Sequence, residues 1–354
     1  MNKFTPTQRV ELTERGTLDS FIGVLEQHFD LSAAGYLRQT QELWQVLVAV
    51  CARESTNEST CNDLLKAPDS NTVRLYLNQQ LKVEKIGALQ KACNEVLASQ
   101  LLAWFTEHPQ EIACDLHDEP YYGIYGGEDP DNWVCGGEAW DGTSHFYRCA
   151  TAYILRPAER MTLAFELVNP KNDRFGILQR LLQRVQALVI ASKRLYLDKG
   201  FCSIPILRHL QAKVELPVIM AVPVRGKKGG TRALGQSWGS YRTAYTFHSQ
   251  FQGELTIPVT VVRTFAKRRH CPPKAPWLVY ALLHCPDLPV RRVRKLDRRR
   301  FGIESSYRMM EKTRARTTSH NAALRFLFMG LALLILNVWV ALHWIYLRIH
   351  GRGP

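Results

Sequence analysis

No two of the nine cysteines in this 354-residue chain form a CxxC pair, and no Cys/His ladder has the spacing of a zinc module. That argues against a zinc ribbon or finger. Odd in number and scattered, the cysteines read as small buried hydrophobes. With no leader-like N-terminus they fit a reducing cytoplasm. Acidic residues are scarce in the back half. Residues 151–354 carry 10 Asp and Glu against 35 Lys and Arg, whereas residues 1–150 carry 22 against 11. The net charge of +14 therefore joins a front half at −11 to a back half at +25. So basic a half attracts polyanions, either nucleic acid or an anionic membrane surface. Hydrophobic residues at 46% and charged residues at 22% exclude a disordered chain. The length suits two or three domains.

One stretch has no charge at all. From Phe326 to Leu347, 22 residues contain no Asp, Glu, Lys or Arg, and Arg325 and Arg348 flank them. As a membrane span, the run would place Trp339, Trp344 and Tyr346 at one interface. As a helix in a domain centre it would be apolar all round for the same reason. Asn337 and His343 fit the second reading better than lipid.

Residues 1–105 read as a helical domain. Thr17 to Leu31 and Leu37 to Arg53 place apolar residues at three-to-four spacing. A short helix at Asn57 to Leu65 is followed by a break at Ala67-Pro68-Asp69-Ser70 and a helix at Asn71 to Leu81. Asp69 or Ser70 is placed to cap that helix, and Thr72, Arg74 and Asn78 share its exposed side. Two short helices around a tight break suit a helix-turn-helix, with Arg74 a DNA-binding candidate. Any helical hairpin shows the same pattern.

The grammar changes after residue 106. A β run ends on Asp115, a Gly-rich acidic loop spans residues 121–143, and strands follow at His145 to Leu155 and Arg160 to Val168. Then come an amphipathic helix (Phe175 to Ser192), a short strand that stops at Asp198, a helix (Ser203 to Lys213) and a buried strand (Pro217 to Val224). Three antiparallel strands followed by helix–strand alternation give an α/β fold of RNase-H-like order over 106–224. Residues 225–290 read as a β insertion. Residues 291–354 read as C-terminal helices completing the catalytic domain. They begin with the basic block Arg291 to Arg300 and continue through a helix with Glu304, Tyr307 and Arg308.

Cutting a phosphodiester with magnesium needs carboxylates that converge from separate elements. They hold two hard cations roughly 4 Å apart, which clamp the attacking and leaving oxygens. Asp115, Asp198 and Glu304 are the acidic residues placed that way, two at strand ends and one on a later helix. Asp118, three residues from Asp115, is an alternative first ligand. Lys227 and Lys228, the run Lys267-Arg268-Arg269-His270 and the 291–300 block are phosphate-contact candidates or plain solvated faces.

These residues sit in motifs that resemble a family. The segment Cys114-Asp115-Leu116-His117-Asp118-Glu119-Pro120-Tyr121-Tyr122-Gly123 resembles the first-aspartate motif of DDE transposases. Tyr196-Leu197-Asp198-Lys199-Gly200-Phe201 resembles the second. Arg299-Arg300-Phe301-Gly302-Ile303-Glu304-Ser305-Ser306-Tyr307-Arg308 resembles the third. Together, over about residues 105–345, they resemble prokaryotic insertion-sequence transposases of the insertion-sequence-four superfamily, with its β insertion before the last acidic residue. The closing Leu336-Asn337-Val338-Trp339 is similar to the apolar end of such proteins. Two positions depart from the pattern. Asp297 stands where the superfamily has a tyrosine, and Glu311, followed by Lys312, stands where it has a lysine.

The resemblance implies that Asp115 bridges two Mg2+ or Mn2+ ions, with Asp198 and Glu304 each completing one coordination sphere. It implies that Arg300, Arg308 and Lys312 hold phosphates. The implied partners are the element's terminal inverted repeats and target DNA, bound by a homodimer in a prokaryotic cytoplasm at the nucleoid. A metal-dependent nuclease without strand transfer, and a DNA-binding or membrane-attached protein without catalysis, are the competing readings.

Overall fold

In a computed structural model of the chain, the described residues are 13–33, 39–65, 67–124, 133–156, 159–227, 229–264, 277–300 and 310–348. The front part is helical: α1 (Glu14–His28), α2 (Thr40–Ala52), α3 (Asn57–Asp63), α4 (Ser70–Gln80), α5 (Ile86–Ser99) and α6 (Ala103–Glu107). Local chemistry sets the starts. Thr13 Oγ1 accepts from the Gly16 N–H, and Asp69 caps α4 by accepting from the Asn71 N–H at 2.9 Å. Helix α2 buries Leu43, Trp44, Leu47 and Val50 on its inner side.

One mixed sheet forms the rest. Its strands are β1 (Gln110–Pro120), β2 (Val134–Trp140), β3 (Thr143–Arg156), β4 (Glu159–Val168), β5 (Ser192–Leu197), β6 (Val218–Val222), β7 (Tyr241–Ser249), β8 (Gly253–Arg263) and β9 (Trp277–Leu283). They are ordered β2-β3-β1-β5-β6-β9-β8-β7, with β4 also paired to β3. The β1–β5 and β5–β6 pairs are parallel, and the other pairs are antiparallel. Helices α7 (Arg174–Ala187) and α8 (Ile204–Lys213) pack on one face; α9 (Val290–Arg300) packs on the other.

Three features differ from the sequence reading. Strand β1 does not stop at Asp115. It runs on to Pro120, because the 14-residue β3 pairs with its outer half from Asp115↔Thr151 to Pro120↔Phe146. The Gly-rich acidic loop contains a strand, β2, turned into β3 by Asp141 and Gly142. Both have positive φ (52° and 79°), as a two-residue type I′ hairpin requires. Strands within 225–290 do not stand apart from the α/β sheet. Strand β9 pairs antiparallel with β6, so β8 and β7 extend that same sheet.

The uncharged run becomes α10 (Ala322–Leu342), continued by a π-helical stretch to Arg348. It is long and apolar enough to cross a membrane, yet in this fold 67% of its most apolar window is buried. It lies against α2, α5 and β4, and Phe326 stacks on Phe165 at 4.7 Å. Fully buried Asn337 accepts from the Thr162 N–H and donates to the Thr162 carbonyl, both at 2.8 Å. Asn94 of α5 makes the same pair of bonds with Phe165, and Gln90 accepts from the Leu167 N–H. Side-chain amides thus close the edge of β4 away from β3. A bulge near Leu163 puts Thr162, Phe165 and Leu167 on that edge.

Candidate active site

The centre of the sheet brings the first two predicted ligands together. Strands β1 and β5 are parallel and in register, Cys114 opposite Leu197, so Asp115 and Asp198 follow side by side. Alternation sets their common face. Ile112, Cys114, Leu195 and Leu197 enter the core beneath α7 and α8, whereas Ala113 and Tyr196 pack with Val293 of α9. Asp115 and Asp198 continue the second set. Backbone donors orient both carboxylates: the Leu116 N–H to Asp115 Oδ1 at 2.9 Å, and the Gly200 N–H to Asp198 Oδ2 at 3.1 Å. Asp198 also caps the 3-10 turn Lys199–Phe201. Both aspartates are half-buried.

Asp118 has another task. It lies on the opposite side of β1 and opposite Arg148 of β3, whose Nε and Nη2 reach its two oxygens at 2.5 and 2.7 Å. This bidentate fork commits the carboxylate. Of the two aspartates on β1, Asp115 is the one that stands beside Asp198.

Along the α9 face of β1, carboxylates recur every fourth residue. Glu111 meets Arg194 at 3.0 Å and Arg299 at 3.2 Å. Buried Glu119 meets Arg314 at 3.3 Å and Arg325 at 2.7 Å. Asp115 lies between them. His117, also on this face, is buried. Desolvation pushes its pKa down to about 4 and the nearby Arg314 adds to the drop, so the ring is neutral at pH 7.

Helix α9 explains one departure from the transposase pattern. Val293 and Asp297 are buried, and Asp297 accepts from the Tyr280 hydroxyl at 3.0 Å. Asp297 therefore fastens α9 to β9, while Arg291, Arg292, Lys295, Arg298 and Arg299 face solvent.

The other predicted residues are spread out. Arg74 is exposed on α4, Lys227 on the loop after β6, and Lys312 just beyond residue 310. Glu304, Arg308, Lys228 and the run 267–270 lie outside the described residues, as does the side chain of Arg300. Among the described residues, no group of three or more His, Cys, Asp or Glu is arranged to hold a metal. The aspartate pair supplies two hard oxygen ligands on adjacent strands, a donor set that suits Mg2+ or Mn2+. No local signal in the sequence pairs Arg314 and Arg325 with Glu119; Arg314 lies in the basic, hydroxyl-rich run from Lys312 to Ser319.

No family model and no curated protein matches the chain. Among solved structures, it is similar to the cryo-EM structure of a piggyBac transposase synaptic complex with hairpin DNA. The TM-score is 0.56 at 11% identity, and the match covers 100% of this chain and 78% of that one. At that identity the likeness is one of fold.

Proposed function

We propose, from a fold shared with a DNA transposase and a pair of aspartates at its centre, that this chain is a DDE transposase. In this reading it cuts DNA at the ends of a mobile element and joins them to target DNA. The observation that carries the proposal is the β1–β5 register, which sets Asp115 beside Asp198 on one face of an RNase-H-like strand order. Glu304 is the third ligand in this reading. Arg299 is tied to Glu111 and Arg314 to Glu119, so the chain is anchored on both sides of Asp115 along β1. Those anchors are eight residues apart on the strand, about 27 Å. The sequence that joins them contains Glu304.

In the mechanism, Asp115, Asp198 and Glu304 would hold two Mg2+ or Mn2+ ions, which when bound would supply Lewis-acid stabilisation for charge on the attacking and leaving oxygens. The chain does the rest by positioning. The Leu116 and Gly200 amides hold the carboxylates in place. Arg300 and Arg308 grip phosphate oxygens through their planar forks, and Lys312, Lys227 and Lys228 add point charges. Water cuts the strand first; the freed 3′-hydroxyl then attacks target DNA at the same site. Pairing two terminal inverted repeats calls for a homodimer on DNA, in the prokaryotic cytoplasm where an insertion sequence resides.

Labelled terminal-repeat DNA with Mg2+ or Mn2+ tests this reading. Strand-transfer product is expected, and Asp198→Asn should lose chemistry while keeping DNA binding. Nicking without joining would make the protein a nuclease, and binding without cleavage would remove catalysis. Full activity of the Asp198→Asn variant would refute the site. Inverted repeats flanking the coding region would support the insertion-sequence assignment.

A further inference from the structure

Between the helical part and the C-terminal segment lies a cleft of about 600 Å³. One wall is α4, with Arg74 and Asn78; the other is the strap Arg316-Thr317-Thr318-Ser319. Leu77 and Phe328 add apolar lining, and Glu58 is the acidic residue at the rim. The strap is firmly set. The Arg316 N–H donates to the Ser55 carbonyl at 2.8 Å, and Asn321 Nδ2 donates to the Leu81 carbonyl at 2.9 Å. Arg325 Nε donates to the Ser319 carbonyl at 2.8 Å, and the Tyr147 hydroxyl to the His320 carbonyl at 2.7 Å.

We infer that this cleft binds the phosphodiester backbone of duplex DNA, as an anchor separate from the carboxylate site. The inference rests on the reading of the chain as a DNA enzyme. Its chemistry is that of backbone contact: an arginine on each wall, with amide and hydroxyl donors between them, which fix a duplex without reading its bases. Arg316 also meets Glu54 at 2.9 Å, but both side chains are well exposed (68% and 40%). Such a pair is weak, and a phosphate competes with it readily.

Arg74 and Asn78, exposed on α4, face the strap across the cleft. DNA seated in the cleft touches a strap whose neighbours Arg314 and Arg325 clamp Glu119 of β1. End binding is thereby joined mechanically to the strand that carries Asp115.

The test is fluorescence anisotropy of the full chain with a labelled duplex of about 30 base pairs in metal-free buffer. Arg74→Glu reverses a charge on one wall, and Asn78→Trp fills the cleft without changing charge. Each is expected to weaken binding about tenfold, and Arg74→Glu to lower the salt-dependence slope by about one or more. Circular dichroism checks that both variants fold. Arg15→Glu, an exposed charge reversal on α1 where Arg15 pairs with Asp19, should leave binding nearly unchanged.

Several results would overturn the cleft. They are unaltered binding by both cleft variants, equal weakening by Arg15→Glu, tighter binding of an RNA duplex, or no duplex binding by the wild type. The transposase reading is judged separately, by strand transfer and Asp198→Asn. A wild type that joins ends while Arg74→Glu and Asn78→Trp bind normally would sink the cleft alone.

Discussion

Two kinds of carboxylate share one face of β1. Glu111 and Glu119, at either end, are each held by two arginines, and Glu119 is only 3% exposed. Asp115, between them, stands beside a second carboxylate, Asp198, on the neighbouring strand. The outer pair spends its charge on fastening the C-terminal segment to the sheet. The central pair instead sets two carboxylates at neighbouring strand positions, oxygen donors of the kind a hard divalent cation takes. Like residues on one strand thus meet different neighbours, arginines at the two ends and a carboxylate-bearing strand at the centre.

The largest expected effect breaks this comparison at its centre. Asp198→Asn should lower strand cleavage by about a thousandfold or more, because one ion position loses its anionic ligand. Metal-free, the same variant should melt close to the wild type, since asparagine keeps an oxygen that can accept from the Gly200 N–H. Mg2+ should raise the melting temperature of the wild type and not that of the variant. Calorimetry with and without Mg2+ reads both effects. An equal Mg2+-induced rise in the two proteins would remove Asp198 from the ligand set.

Glu119→Ala should act in the opposite sense. It leaves Arg314 and Arg325, with side chains 24% and 13% exposed, without their shared counter-charge. Breaking a buried ion pair by removing one partner costs about 3–5 kcal/mol. Denaturant unfolding should show a loss of that order. A change below about 1 kcal/mol, the scale of a surface ion pair, would mean that the clamp is one.

Asn337→Leu tests how α10 meets the sheet. The variant fits the helix but leaves the Thr162 N–H and carbonyl buried without the amide they bond, at a cost of about 1–3 kcal/mol for each buried group left unsatisfied. Denaturant unfolding should show that loss. If α10 instead resided in lipid, Asn337→Leu would strengthen partitioning into carbonate-washed membranes and leave the soluble fold untouched.

Much of this was legible in the sequence, for identifiable reasons. The position of Asp198 just past the end of β5 was legible because a short apolar strand ends there and Gly200 follows, and local signals of that kind survive folding. The mixed α/β order was legible because the amphipathic α7 and the alternating β3 and β4 carry clean periods. The reach of β1 beyond Asp115 was not. Its outer half is held by β3, some 30 residues further along the chain, and no local pattern encodes a partner that distant. The same holds for the arginines on Glu119, which come from positions 314 and 325. Asp297 looked like a flaw in a motif and is a buried hydrogen-bond acceptor for Tyr280. A buried polar contact of this kind is invisible until its partner is placed.

The smallest expected effect sharpens the comparison where sequence alone left two aspartates open. Asp118 and Asp115 are three residues apart, so alternation sends them to opposite faces of β1. Asp118 is forked by Arg148, and both side chains are partly exposed (27% and 17%). Asp118→Asn keeps the size of the side chain and one hydrogen-bond acceptor, so it should cost about 1–2 kcal/mol of stability. It should leave cleavage within a few-fold of wild type and the Mg2+-induced rise in melting temperature intact. Asp115→Asn should do the reverse, removing cleavage and the Mg2+ response with little change in metal-free stability. Measured side by side, the two variants separate a structural carboxylate from a ligand by sign as well as size. If Asp118→Asn abolished cleavage while Asp115→Asn did not, the assignment on β1 would have to be exchanged, and the register with Asp198 would lose its meaning as a site.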